Sequence, residues 1–310
     1  QLKDAPEGVE TYANIDEMLA NADINVVMVS TPNPSHPEMV KKAAAAKKHV
    51  ICEKPAAMSV AEYDEMVAAC EENGVIFTVH QQRRWDKDYR IMKEVYDKSM
   101  VGDMYIIKSQ LYGVNGNMHD WHIYPEMGGG MLYDWGVHLI DQMLDMVKSK
   151  IVSLYADVQN VINENVDDYF KIIMKFENGV TAEIELGTYY LTPKRAWFIG
   201  GNKGSALIDG FAGEGKIVRT AHLLENVPGK ITMTAAGPTR SFGPPEPGLL
   251  YEEPLPEVNV DHRNYFEHFL KAFNGEEDII IKPEQVRRVL CVMDAVRESA
   301  KTGKAIAFEE

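Results

Sequence analysis

Cysteine is scarce in this chain of 310 residues: Cys52, Cys70 and Cys291 are the only three, and none sits in a C-x-x-C or zinc-type spacing. An odd number of thiols cannot all pair, which argues against a disulfide framework and points to a reducing, cytoplasmic compartment. No apolar run approaches the roughly 20 residues of a membrane span. No signal-peptide pattern opens at Gln1. Positive charge is also short, 32 basic residues against 47 acidic, for a net charge of −15. A field of that sign repels phosphate backbones and anionic lipid, so nucleic acid and membranes are excluded as partners. Glycine is plentiful, yet no G-x-G-x-x-G occurs; Gly200-Gly201-Asn202-Lys203-Gly204 fails the spacing and reads as a hairpin turn between β-like runs.

What is present is a globular composition, 45% hydrophobic and 25% charged, in a chain long enough for two domains. The first hundred residues alternate strand and helix. Asn14 caps a short helix carrying Ile15, Met18 and Leu19, and Asn25–Ser30 is an apolar run suited to a buried parallel strand. Ser35-His36-Pro37-Glu38 has the form of a capping box opening a helix that runs to Lys47 and Lys48. His49–Cys52 is the next strand, Ser59 and Glu62 open the next helix, Gly74 ends it, and Val75–His80 is a third strand. Such an alternation predicts a doubly wound parallel sheet, whose ligands gather at the carboxyl ends of the strands. Those ends carry Ser30-Thr31-Pro32-Asn33, Glu53-Lys54-Pro55 and His80-Gln81-Gln82-Arg83-Arg84.

The most informative stretch is Gly128–Asp141. Three glycines free the backbone, and a helical pattern follows in which Leu132, Trp135, Leu139 and Met143 form one apolar stripe. Asp134, His138 and Asp141 fall on the other side. A carboxylate one turn before an imidazole can accept its N–H and fix its tautomer, the layout of an oriented general base; the alternative is the solvated face of an amphipathic helix.

Taken together, Thr31-Pro32-Asn33 with His36, Cys52-Glu53-Lys54-Pro55, and the Gly129–Asp141 helix resemble three motifs of the Gfo/Idh/MocA oxidoreductases, in the same order. The resemblance runs from about Gly8 to the end of the chain. It implies the remainder of a Rossmann dinucleotide-binding domain over residues 1–101, without its glycine turn and acidic ribose ligand. Residues 102–310 would then be a C-terminal substrate-binding α/β domain with an open, mostly antiparallel sheet that mediates homo-oligomer contacts. It implies NAD or NADP as cofactor, lined by Thr31, Pro32, Asn33, His36, Glu53, Lys54, Pro55 and Trp121. Lys54 would relay the proton, His138 would act as base and Asp134 would orient it. Two positions depart from the family pattern: Gln82 replaces a common Asn, and His122 stands where an arginine follows the tryptophan.

In the second half, strands are expected at 103–113, 151–159, 169–176, 180–190, 196–200 and 206–209, with Asn178-Gly179 as a hairpin turn. The polar, aromatic segment Val114–Met127 runs into the triple glycine and is placed to cover a site. Gln82, Arg84, His119, Tyr124 and His138 are candidate substrate contacts, with a carbohydrate-like small molecule as substrate. His119, His122, Asp134, His138 and Asp141 lack the spacing of a metal motif, so no metal is assigned. Residues 222–257 read as a long loop or arm, followed by two helices with stripes Phe266, Phe269, Leu270, Phe273 and Val286, Val289, Leu290, Met293. The expected activity is hydride transfer between a nicotinamide and a secondary alcohol of a sugar, polyol or glycoside. The alternatives are a transient oxidation serving elimination or epimerisation, or a sugar or nucleotide sensor that has kept the fold without turnover.

Overall fold

Three short parallel strands, β1 (Val26–Val29), β2 (His49–Cys52) and β3 (Phe77–Val79), pair in that order to make the first sheet. The computed structural model describes residues 6–114, 119–221, 231–240 and 247–308. Helix α1 (Ile15–Asn21) precedes β1, and α2 (His36–Ala45) and α3 (Val60–Asn73) supply the two crossovers. Asn14 caps α1 as its sequence predicts, accepting from the Glu17 N–H at 2.9 Å. Gly74, at φ +66°, ends α3 in the left-handed conformation that a helix stop favours. The capping box at Ser35 does not form. Asn33–Ser35 is a 3₁₀ turn, and the Ser35 hydroxyl is used inside that turn, on Thr31 Oγ1 and the Pro32 carbonyl.

A helix that the sequence reading omits, α4 (Lys87–Asp97), buries Tyr89, Ile91, Met92 and Val95 and leads to β4 (Met104–Tyr112). Beyond it, α5 (Val137–Met146) precedes β5 (Ile151–Gln159), β6 (Tyr169–Phe176), β7 (Thr181–Gly187), β8 (Trp197–Gly201), β9 (Gly204–Ile208) and β10 (Gly215–Thr220). The Asn178-Gly179 and Asn202-Lys203 turns join antiparallel neighbours, as their residues dictate. The expected loop over 222–257 is corrected: it holds β11 (Ile231–Thr234), β12 (Gly237–Arg240) and β13 (Leu250–Glu253), while 222–230 and 241–246 lie outside the described residues. These strands pair only locally or at a sheet edge, so they carry no inward-facing apolar alternation to read. Helices α6 (Arg263–Phe273) and α7 (Pro283–Thr302) and the two-residue β14 (Ile306–Ala307) close the chain.

The second sheet has nine strands in the order β13-β10-β9-β8-β4-β7-β6-β5-β14, antiparallel at every pairing but β4 with β7. Inward residues such as Ile107, Leu154, Phe170, Ile172, Ile184 and Ile199 are fully buried. Helix α5 is buried on almost every face, from Val137 to Leu144, so the solvated-face alternative for His138 and Asp141 falls. Helix α7 buries its expected stripe, whereas α6 is rotated from its own: Tyr265 and Phe269 are buried, and Phe266 and Leu270 are 40% and 56% exposed. α7 also ties the sheets together. Tyr63 bonds the Pro283 carbonyl, Thr78 the Ile281 carbonyl, and Arg287 pairs with Asp64. Among the described residues no helix is long and apolar enough to cross a membrane.

Candidate active site

Lys54 follows β2 at a cis Lys54–Pro55 peptide and reaches across to the second half of the chain. Its ammonium donates to Asp134 Oδ1 at 2.7 Å and to the Asp134 backbone carbonyl at 2.8 Å. The two side chains are 18% and 24% exposed, so the pair is part-buried and still meets solvent. Asp134 lies in a π-helical turn, Leu132–Gly136, that feeds α5. The wider π turn cancels the one-above-the-other stacking of positions i and i+4. The expectation that Asp134 orients His138 is therefore corrected: the carboxylate is taken by the full charge of Lys54.

His138 is oriented by another residue. Its Nδ1 donates to Gln81 Oε1 at 2.8 Å, and Gln81, just past β3, is 1% exposed. An amide oxygen only accepts, so with Gln81 Oε1 facing the ring the proton is assigned to Nδ1 and the Nε2 lone pair is left to act as a base. Burial, and then the positive charges of Lys54, Arg83, His80 and His262, hold the imidazole well below its ordinary value. His138 is thus neutral near pH 7, as a proton acceptor must be. Gln81 is not among the residues that sequence singles out; its place just past the carboxyl end of β3 is the one signal that sequence offers.

The other candidates divide. Thr31 and Pro32 are exposed at the end of β1, and Glu53 bonds His80 Nδ1 at 2.7 Å. Burial works against the Glu53 charge, but the bond from His80 and the charges of His80 and Lys54 hold it below the usual carboxylate range. His36 is fully buried, with its two ring nitrogens against the carbonyls of Pro55 at 3.0 Å and Thr31 at 2.7 Å. It braces two strand-end loops and cannot line a cofactor. Asn33 is likewise buried and donates to the Met127 carbonyl, which joins the β1 loop to the glycine segment. Pro55 is buried behind Lys54.

Arg84 is corrected as a substrate contact. Its guanidinium, 5% exposed, is forked onto Asp141 with two bonds of 2.7 Å and reaches Gln285 and Asp145. A bidentate buried pair of this kind is structural, and it also removes Asp141 from the site. The neighbouring arginine is the one that faces open space: Arg83 lies 3.9 Å over the Trp135 ring and bonds Asp86. Gln82 Oε1 is buried without a partner.

The glycines preceding α5 are dictated by close approach. A Cβ on Gly129 would stand 2.3 Å from the His122 carbonyl oxygen, and Gly130, at φ +95°, lies against Asp167. Asp167 Oδ2 in turn accepts the Leu132 N–H at 2.7 Å, satisfying an orphan donor at the helix entry. Trp121 is half-buried and stacks on His122 at 3.7 Å, while His119 and Tyr124 are exposed on the same covering segment. Residues 115–118 of that segment lie outside the described residues.

Against known proteins, residues 4–81 match the model of an oxidoreductase family with an NAD-binding Rossmann fold, and residues 89–207 match a GFO/IDH/MocA C-terminal domain. The chain belongs to the Gfo/Idh/MocA oxidoreductase family. A crystal structure of an NAD-binding protein from Listeria innocua superposes with a TM-score of 0.90 at 32% identity, covering 97% of this chain and 86% of that one. An uncharacterized oxidoreductase of Schizosaccharomyces pombe is 28% identical over 99% of this chain and 87% of its own. The NADP-dependent scyllo-inositol 2-dehydrogenase of Bacillus subtilis is 25% identical over 99% of this chain and 85% of its own.

This Gfo/Idh/MocA protein is an oxidoreductase whose cofactor is NAD or NADP. Polar groups that could hold that group stand at the carboxyl ends of the parallel strands: Thr31 after β1, Glu53 and Lys54 after β2, and His80 after β3, whose Nε2 is buried without a partner. The chain contains no glycine-rich turn for the pyrophosphate.

Proposed function

We propose that the enzyme oxidises a secondary alcohol of a sugar, polyol or glycoside to the ketone, with the reverse reduction following the same path. Lys54 holds the reacting hydroxyl oxygen through its ammonium, and Asp134 keeps that ammonium charged and aimed. His138 Nε2 accepts the hydroxyl proton as the carbonyl forms, and Gln81 holds the imidazole in the tautomer that allows it. A nicotinamide bound beside Lys54 would supply the hydride acceptor for that carbon. Trp121 covers the cofactor side, and Gln82, His119 and Tyr124 serve the substrate side. The observation that carries this reading is the meeting of Lys54, from the first sheet, with the Asp134–His138 helix of the second half. A binding protein without turnover has no use for a buried imidazole held neutral beside a cation.

Residues 1–101 form the cofactor half in this reading and 102–310 the substrate half, with α7 shared between them. The exposed face of the second sheet, bearing Tyr105, Val152 and Tyr155 at 59%, 53% and 41% exposure, supports homo-oligomer contacts. Free thiols at Cys52, Cys70 and Cys291 suit a cytoplasmic protein. The test is a panel of inositols, aldoses and glycosides with NAD and with NADP, followed by absorbance of the reduced nicotinamide. Reduction with a cyclic polyol is expected. Saturable binding of such a ligand without reduction would instead identify a sensor.

A further inference from the structure

The helix that bears Asp134 and His138 begins without a cap of its own. Leu132 opens the π turn, and Met131 before it has no side-chain bond to a backbone N–H of that turn. The orphan donors are instead used by one residue 35 positions further along the chain. The Met131 N–H donates to the Asp167 carbonyl at 2.9 Å, and the Leu132 N–H to Asp167 Oδ2 at 2.7 Å. Asp167 Oδ1 lies against Gly130, whose own carbonyl accepts the Asp134 N–H at 3.1 Å. Asp167 thus touches three successive residues of the segment that presents Asp134 to Lys54. The anchor is itself fixed. Asp168, the next residue, is fully buried and accepts the N–H groups of Val161, Ile162 and Asn163 at 2.6, 2.9 and 2.9 Å. Its carbonyl accepts the Thr188 N–H from just past β7. Of two adjacent carboxylates, one ties the loop before β6 to itself and the other ties that loop to the helix entry.

We infer that Asp167 is a positioning residue for the Lys54–Asp134 pair, fixing the place at which the π turn presents the carboxylate that aims the ammonium. The inference rests on the role given to Lys54 above and deepens it. A π turn is a local departure from the α-helix and needs something to hold it. Released from Asp167, the turn is free to regain α-helical spacing, in which residues i and i+4 stack. Asp134 would then swing from Lys54 towards His138. The ammonium would lose its partner, and the reacting oxygen its fixed donor. A displacement of about 1 Å at such a group is enough to cost about 10²-fold in rate.

The test compares the full chain with Asp167→Ala, Asp167→Ser and Asp167→Asn, and with Asn14→Ala, which removes the cap of α1 as a control for lost stability. Burial pushes the Asp167 carboxyl up to about 6, so its charge is poorly held there and the amide, which keeps the acceptor oxygen, is the conservative replacement. In steady-state polyol oxidation, Asp167→Ala should lower kcat by about tenfold or more with KM changed far less, and Asp167→Asn should stay within about threefold of wild type. The second readout needs neither cofactor nor turnover: acetylation of lysines by acetic anhydride, mapped peptide by peptide. Lys54 should label several-fold faster in Asp167→Ala than in wild type, with the exposed Lys41 unchanged. Asn14→Ala should melt at a lower temperature and match wild type in both readouts. Thermal melting shows which variants are folded; Asp167→Ser, whose hydroxyl stops short of Leu132, should behave as Asp167→Ala and replaces it should that variant not fold. Wild-type kcat and wild-type Lys54 labelling in a folded Asp167→Ala or Asp167→Ser would overturn the assignment, as would equal losses in Asn14→Ala. If wild type oxidises no polyol, the polyol reading falls, and the labelling of Lys54 still decides the role of Asp167.

Discussion

Lys54, Asp134, His138 and Gln81 make two pairs where the sequence suggests one. The sequence exposes the three ionisable members because Glu-Lys-Pro and the glycine-led helix are local patterns. It conceals Gln81 because a 57-residue separation is bridged only by the fold, and an amide has no distinctive spacing. Two consequences are measurable. Gln81→Ala frees the imidazole to rotate, and kcat should fall by about tenfold, a fraction of the 10²–10⁴ attributed to a positioned base. Because His138 is held well below its ordinary value, the rate should not lose a base limb as pH is lowered through the usual histidine range near 6.5. The same depression has a sign for stability. Below about pH 6.5 the unfolded chain takes up a proton that folded His138 refuses, so its contribution to stability falls as pH falls. Asp88 acts oppositely: raised to about 6 by burial, with Asp86 adding to the rise, it binds a proton in the folded state before the unfolded one does. Asp88→Asn should therefore raise the melting temperature at pH 7.5, by on the order of 2 kcal/mol of stability, and the gain should shrink at pH 5.

The elements around the site show why helix periodicity alone misassigns it. Leu132, Trp135, Leu139 and Met143 do face apolar surroundings, as a period of three and four requires, yet the π turn at Leu132–Gly136 shifts the polar residues out of that frame. A π turn leaves no mark in the pattern of apolar residues. The turn is held by glycines on one side and Asp167 on the other. Gly130→Ala would force a Cβ to 2.3 Å from Asp167 Oδ1 at a backbone angle that side chains avoid. It should cost about 1–3 kcal/mol and reduce kcat as well, read by thermal melting and steady-state rates. Arg83 and Arg84 show a similar limit: adjacent residues on a 3₁₀ turn point to different places, and only packing decides which one meets solvent.

At the scale of the whole molecule, the three parallel strands and the inner strands of the second sheet, though not its outer β13, β10 and β14, are readable from alternation and turn residues, since β5 and β6 begin and end where the pattern does. The link between the halves is not. Arg84 on the first half, Asp141 and Asp145 on α5 and Gln285 on α7 form one buried network, assembled from residues up to 201 positions apart. Arg84→Ala would leave Asp141 buried and uncompensated, and should cost about 3–5 kcal/mol in unfolding measured by denaturant. The network also predicts that both sheets unfold in a single transition. The account turns on His138 as the proton acceptor beside Lys54, and the most direct measurement is steady-state oxidation of the best cyclic polyol by His138→Ala. A fall in kcat of at least about 10²-fold with KM little changed is predicted. Turnover equal to wild type in the folded variant would contradict it.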